Sequence, residues 1–249
     1  MRNMRVIMCA LALWMRSMIY AWGPYTHQYI GLQSSLQSPP SFVSGCSAPD
    51  AMKGLNGTMH SLSFAVLLKN LARANFSAEL ASFADGWACH LAQDLVGHHP
   101  AGYLNPANDH DLELAVDALA FHTGAVHSLK QPSADMMRLV YAGAQRTGIG
   151  KSEAQIIAAF KQFEGLTTAE SIVLRGDVLY QSRMVRDSFC NVTTFEEAQK
   201  NFELARTWVV QTCGYWLNIT ASDAVLDPFS VESQVNGFVE QLFQSSSCV

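Results

Sequence analysis

The stretch Phe83 to Pro100, FADGWACHLAQDLVGHHP, decides the fold. On a helix, His90, Asp94 and His98 fall at i, i+4 and i+8, each step turning about 40° around the axis, so the three share one face. The other positions are mostly apolar: Trp87, Ala88, Cys89, Leu91 and Leu95. A helix with so little polar surface is buried, and buried imidazoles and carboxylates need partners. Imidazole nitrogen and carboxylate oxygen on one face suit a zinc ion, and carboxylates can bridge two ions. His99 turns away while the helix continues; Gly97 is a candidate stop, and a helix ending there makes His99 a competitor of His98.

Outward from this segment the sequence continues helix after helix, with no convincing segment of strand periodicity. Amphipathic stripes run over about 63–74, 78–97, 109–130 and 134–147, with Pro132 and Gly148 as breaks. Ser152 with Gln155, Thr167 with Glu170, and Thr194 with Glu197 have the spacing of capping boxes, which predicts three helix starts. After Thr194, Phe202, Ala205, Val209, Cys213 and Trp216 recur at intervals of three and four. Gly31 to Met59, rich in Ser, Pro and Gly and containing Pro39-Pro40, is expected to be a long ordered loop. An all-α single domain without internal repeat follows.

The histidines carry the functional signal. All eight lie between His27 and His127, and none occurs from Ser128 to Val249. A second acidic cluster follows the first in PANDHDLELAVD, where His110 and Glu113 are one turn apart and Asp117 lies a further turn along the same side. Glu113 is a candidate ligand, with Asp117 as its substitute or as a partner orienting a histidine. Asp109 and Asp111 read as helix N-terminal acids that favour the dipole. Asp50, after Pro49, and His60, just before a helix expected near Ser61, complete a ligand set.

The ends and the composition narrow the function. Arg2 and Arg5 precede the apolar run Val6 to Met15, and Ile19 and Ala21 fit a signal-peptidase site. Residues 1–21 are therefore expected to be a signal peptide and 22–249 the mature domain, secreted or lumenal. Removing Arg2, Arg5 and Arg16 leaves 13 basic against 21 acidic residues, a formal charge of −8. No basic stripe exists to displace counterions, which argues against a nucleic-acid partner. No obligate protein partner is inferred. Cys46, Cys89, Cys190, Cys213 and Cys248 remain, an odd number in an oxidising compartment, so some should pair in a connectivity that spacing does not give. Sequons at Asn56, Asn75, Asn191 and Asn218 fit a secreted glycoprotein. The polar end, Gln244 to Ser247, predicts no lipid-anchor signal.

Taken in order, five pieces resemble the zinc-dependent phospholipase C family: Trp22-Gly-x-x-x-His27 after a signal site, Pro-Asp at Asp50, Met-His-Ser at His60, G-W-x-x-H-x-x-x-D through His90 and Asp94, and D-H-x-x-E-x-x-x-D around His110. The resemblance spans about Trp22 to Ala120 and extends to the N-terminal domain of glycosylphosphatidylinositol-specific phospholipase D. It implies an all-α bundle of the phospholipase C and P1 nuclease type with three zinc ions. Asp50, His60, His90 and Asp94 would hold the first; His98 or His99, His110 and Glu113 the second; and the amine and carbonyl of Trp22, with His27 and Asp94, the third. The resemblance also gives Asp50 the role of positioning or deprotonating water. The short gap from Asp94 to the next histidine matches the phospholipase D branch. The bacterial phospholipases place their glutamate four residues after its histidine, where this chain has Leu114.

The implied activity is hydrolysis of a phospholipid or related phosphodiester by metal-activated water, with peripheral membrane contact. Two alternatives stand beside it. One is an S1/P1-type nuclease, which shares the fold, the zincs and the tryptophan start. The other is a non-catalytic secreted zinc-binding protein.

Overall fold

The structure, a computed structural model, describes residues 23–34, 39–75, 77–99, 109–124, 126–188, 192–222 and 224–244, with the backbone alone at 109 and 110. The expected signal peptide, Trp22, Cys190, Cys248, Asn191 and the side chain of His110 lie outside them. Among the described residues the fold is all-α. We number the helices α1 (Pro24–Ser34), α2 (Pro40–Gly45), α3 (Ala48–Lys53), α4 (Leu62–Ala74), α5 (Ala78–Gly97), α6 (Asp109–His122), α7 (Ala134–Arg146), α8 (Glu153–Gly176), α9 (Tyr180–Asp187), α10 (Phe195–Ile219) and α11 (Pro228–Gln244), with a 3-10 turn at Gly57–Met59.

Local chemistry accounts for the helix starts. Ser61, Ser77, Ser133, Ser152 and Thr194 each accept a backbone N–H three residues on, satisfying donors that helix geometry strands. Glu197 and Gln155 reach back to close two of the expected capping boxes. The third expected box is not a helix start: Thr167 lies inside α8, where its hydroxyl donates to the carbonyl of Glu164. The stripe drawn to residue 130 ends at His122, and Gly124 follows at φ +75°. Gly148, at φ +71°, takes the left-handed conformation at the break after α7.

The expected loop 31–59 is mostly helical. α1 runs on to Ser34, and Pro40 and Pro49 occupy first-turn positions of α2 and α3. Proline there loses no hydrogen bond, because the first N–H groups of a helix have no intrahelical acceptor.

The 20-residue α5 is the central strut, roughly 30 Å long. Phe83, Ala84, Trp87, Ala88 and Leu91 pack into one core with α4 and α7, and Cys89, Ala92 and Val96 into a second with α6 and α10. Across the second core Cys89 and Cys213 form a disulfide, while Cys46 is a buried free thiol. Buried Lys69 of α4 donates to Asp85 of α5 and Thr220 beyond α10, and Asp85 also accepts Trp216 Nε1 at 2.8 Å. Burial lowers the Lys69 pKa against the pull of Asp85. The pair spans α4 and α5, and removing one partner would strand the other's buried charge.

Candidate metal centre

One close backbone approach builds the site. α2 lies directly on α5 through Gly45 and Gly86: a Cβ on Gly86 would sit 2.0 Å from Phe42 O, and one on Gly45 would sit 2.3 Å from Phe83 O. That contact brings the Cys46 carbonyl within 2.9 Å of His90 Nδ1. It also sets α3, carrying Asp50 in its first turn, beside the buried face of α5. His60 follows the 3-10 turn, whose Met59 carbonyl accepts Trp87 Nε1 at 3.2 Å. His27 comes from the first turn of α1.

The Nε2 atoms of three histidines converge on two carboxylates. His60 Nε2 and His90 Nε2 are 2.9 Å apart, with rings at 87°. Asp94 Oδ2 lies 3.1 Å from His60 Nε2 and 3.4 Å from His90 Nε2, and its Oδ1 lies 3.6 Å from His27 Nε2. Asp50 Oδ1 is 3.5 Å from His90 and 3.8 Å from His60, and its Oδ2 is 3.9 Å from His27. Two ligand triads result, His27–Asp50–His90 and His60–His90–Asp94, each with its donor atoms within 4.8 Å of one another.

The far side of two of the three rings is tied down. His90 Nδ1 donates to the Cys46 carbonyl, and His27 Nδ1 to Gln93 Oε1 at 2.8 Å, while Gln93 Nε2 returns a bond to the His27 carbonyl at 3.1 Å. A protonated Nδ1 leaves Nε2 as a lone pair aimed inward, the tautomer a metal needs. Gln93 was not singled out from sequence, although it lies between His90 and Asp94. Its signal is position: a buried amide one residue before a ligand, on the side turned toward α1.

Burial and mutual charge set the protonation of these groups. Burial first, then His90, pushes His27 down to about 3 against the pull of Asp94 and Asp50, so its imidazole is neutral. Burial opposes a charge on His60, but hydrogen bonds and charges of Asp50 and Asp94 outweigh it and lift the pKa to about 9. Burial also works against ionised Asp94, yet His90, His60 and His27 hold it well below its ordinary value. Nearby, burial raises Asp117 to about 7 over the lowering of its hydrogen bonds, and burial, Asp117 and Asp50 raise Glu170 well above the usual range. Buried His27 Nε2, both Asp50 oxygens and Asp94 Oδ1 have no hydrogen-bond partner. Stranded acceptors of this kind are costly unless something positive sits among them. Nitrogen and oxygen donors converging in this number fit zinc.

His60 and Asp94 reach the wall of a cleft of about 550 Å³, which Lys53, His98, Glu232 and Glu240 also line. Asp50 lies behind that wall, 4% exposed. His98 is the residue after the last turn of α5. His99 stacks on Phe243 at 3.8 Å and places Nε2 3.3 Å from Glu240 of α11. Glu113 is buried on α6. Among the described residues, neither triad includes His98, His99 or Glu113. Asp117 accepts bonds from the start of α1.

An all-helical domain that gathers three histidines and two aspartates around one point defines a helical metalloprotein. The chain belongs to the zinc-dependent phospholipase C family, whose model matches residues 24–152, just over half of its 249 residues. Searches of curated proteins and of solved structures gave no match.

Proposed function

We propose that the protein is a secreted zinc-dependent phosphodiesterase that hydrolyses phospholipids at the Asp50–His60–His90–Asp94 cluster. The observation carrying this is the convergence of buried, partnerless donor atoms beside an open cleft. Asp50, His60, His90 and Asp94 would hold one ion, and His27 with Asp94 would contribute to another. Zinc bound there supplies Lewis-acid stabilisation of charge on phosphorus and lowers the pKa of water.

The chain's own groups do the rest. Cys46 and Gln93 fix the tautomers of His90 and His27. Asp50, with both oxygens unclaimed, orients the attacking water and takes its proton. Lys53 on the cleft wall places positive charge where an anionic phosphodiester enters. Attack of water on phosphorus breaks the bond to the glycerol oxygen, giving diacylglycerol and a phosphorylated head group. Contact with a lipid surface falls to Val225 and Phe229, 88% and 83% exposed, where Phe229 lies one turn before Glu232 of the cleft.

The test is product analysis on phosphatidylcholine. Diacylglycerol and phosphocholine are expected, with Asp94→Asn losing at least a hundredfold in rate. Phosphatidic acid as product would show D-type cleavage. An unchanged rate in Asp94→Asn would refute the assignment.

A further inference from the structure

Asp117 is wholly buried on α6 and lies some ninety positions along the chain from α1, yet it makes the closest polar contacts at the start of α1. Its Oδ2 accepts Tyr25 N at 3.2 Å; its Oδ1 accepts Thr26 N at 2.8 Å and Thr26 Oγ1 at 2.6 Å. The first α-helical bond, His27 N to Gly23 O at 3.0 Å, follows at once. The local sequence fits this carboxylate. Pro24 has no N–H to satisfy. A Cβ on Gly23 would lie 2.2 Å from Asp117 Oδ2, so only glycine fits. Tyr25 adds a second tether through its hydroxyl, which donates to Thr167 O of α8 at 2.9 Å.

We propose that Asp117 is a positioning residue for the metal centre: its carboxylate caps α1 and sets the helix's rotation, and so decides whether His27 joins Asp50 and Asp94 around an ion. Each residue of an α-helix turns about 100° about the axis, so a slip of one position at the cap would swing His27 out of the cluster. His27 immediately follows the capped Thr26, and its Nε2 must stay near Asp94 Oδ1, 3.6 Å away. Gln93 can tie the ring only after the backbone is placed, because it binds both the ring and the carbonyl of the same residue. The same carboxylate lies against Gly23, the residue that follows the expected mature N-terminus at Trp22.

The proposal rests on the zinc reading above, and its test separates the two. Zinc per chain and zinc affinity are measured for the signal-cleaved wild type, Asp117→Asn and Thr26→Val, with circular dichroism and melting alongside. The Asp117→Asn side chain keeps the acceptor toward Thr26 but turns an amide donor toward Tyr25 N–H. This variant should bind about one zinc fewer per chain while keeping its helicity and the remaining zinc. Thr26→Val loses only the hydroxyl bond, and its weakest zinc should bind about 10- to 100-fold less tightly. A folded Asp117→Asn with the full complement at wild-type affinity would overturn the proposal. Loss of all zinc together with a large drop in melting temperature would also overturn it, marking Asp117 as a structural cap. A wild type that binds no zinc would sink the zinc reading itself, and this proposal with it.

Discussion

Replacing Gly86 by alanine should damage stability and metal binding together, through one backbone contact. The new Cβ would lie 2.0 Å from Phe42 O, 2.9 Å from the Phe42 carbonyl carbon and 3.0 Å from Gly45 Cα. All three are backbone atoms of α2, so no side-chain rotation relieves the clash. Restoring even a 3.0 Å contact requires α2 and α5 to separate by about 1 Å. Overpacking of this kind costs about 1–3 kcal/mol. At about 2 kcal/mol, a chain of this size should melt roughly 4–8 °C lower. The same movement draws the Cys46 carbonyl off His90 Nδ1, now 2.9 Å away, past the range of a hydrogen bond. Losing such a partner typically weakens metal affinity about 10- to 100-fold. Urea unfolding of the metal-free variant reads the first effect, and competition titration with a zinc chelator reads the second. A variant that unfolds and binds zinc like the wild type would refute the view that this glycine contact sets the site.

Three further outcomes are expected. The Cys89–Cys213 bridge closes a separation of 124 residues, so Cys213→Ser should lower stability by up to about 5 kcal/mol in urea titrations, and reductant should do the same to the wild type. Glu197 is held below its ordinary pKa by the Thr193 amide first, then the Thr193 hydroxyl and the Thr194 amide. Its stabilisation of α10 is complete above about pH 4.5 and is lost as pH falls through the lower folded value. Amide exchange at the start of α10 should accelerate there in the wild type and not in Glu197→Gln. Phe229→Ser should reduce hydrolysis of zwitterionic vesicles about tenfold or more while leaving a soluble short-chain phosphodiester unaffected; equal losses on both substrates would rule out a lipid-contact role.

Much of the site was legible because helical spacing is a local property. His90 and Asp94 share a face by arithmetic alone, whereas Asp50 and His60, unremarkable by themselves, entered the candidate set only beside the clusters and through the family resemblance. What spacing could not supply is anything requiring two distant segments to meet. Gly86 looks like an ordinary interruption of a helix until Gly45 is laid against it. Gln93 and the Cys46 carbonyl act on histidines of other elements, and no periodicity marks a backbone oxygen as an orienting group. Asp117 has the spacing of a ligand relative to His110 and Glu113, yet its carboxylate is claimed by α1. The segment 31–59 misled for a compositional reason: Pro39-Pro40 and Pro49 suggest loop, but proline at a first turn begins a helix as readily as it ends one. Thr167 shows the converse, a capping pattern overridden because α8 continues through it.

The most direct test of a zinc-dependent active centre is zinc content measured on the same sample, beginning at Trp22, as phosphodiester hydrolysis, before and after chelation and zinc return. About three zincs per chain, with activity that vanishes on chelation and returns with zinc, is the predicted result. One zinc or none, with hydrolysis absent or indifferent to the chelator, would contradict it and leave a zinc-binding or structural protein in its place.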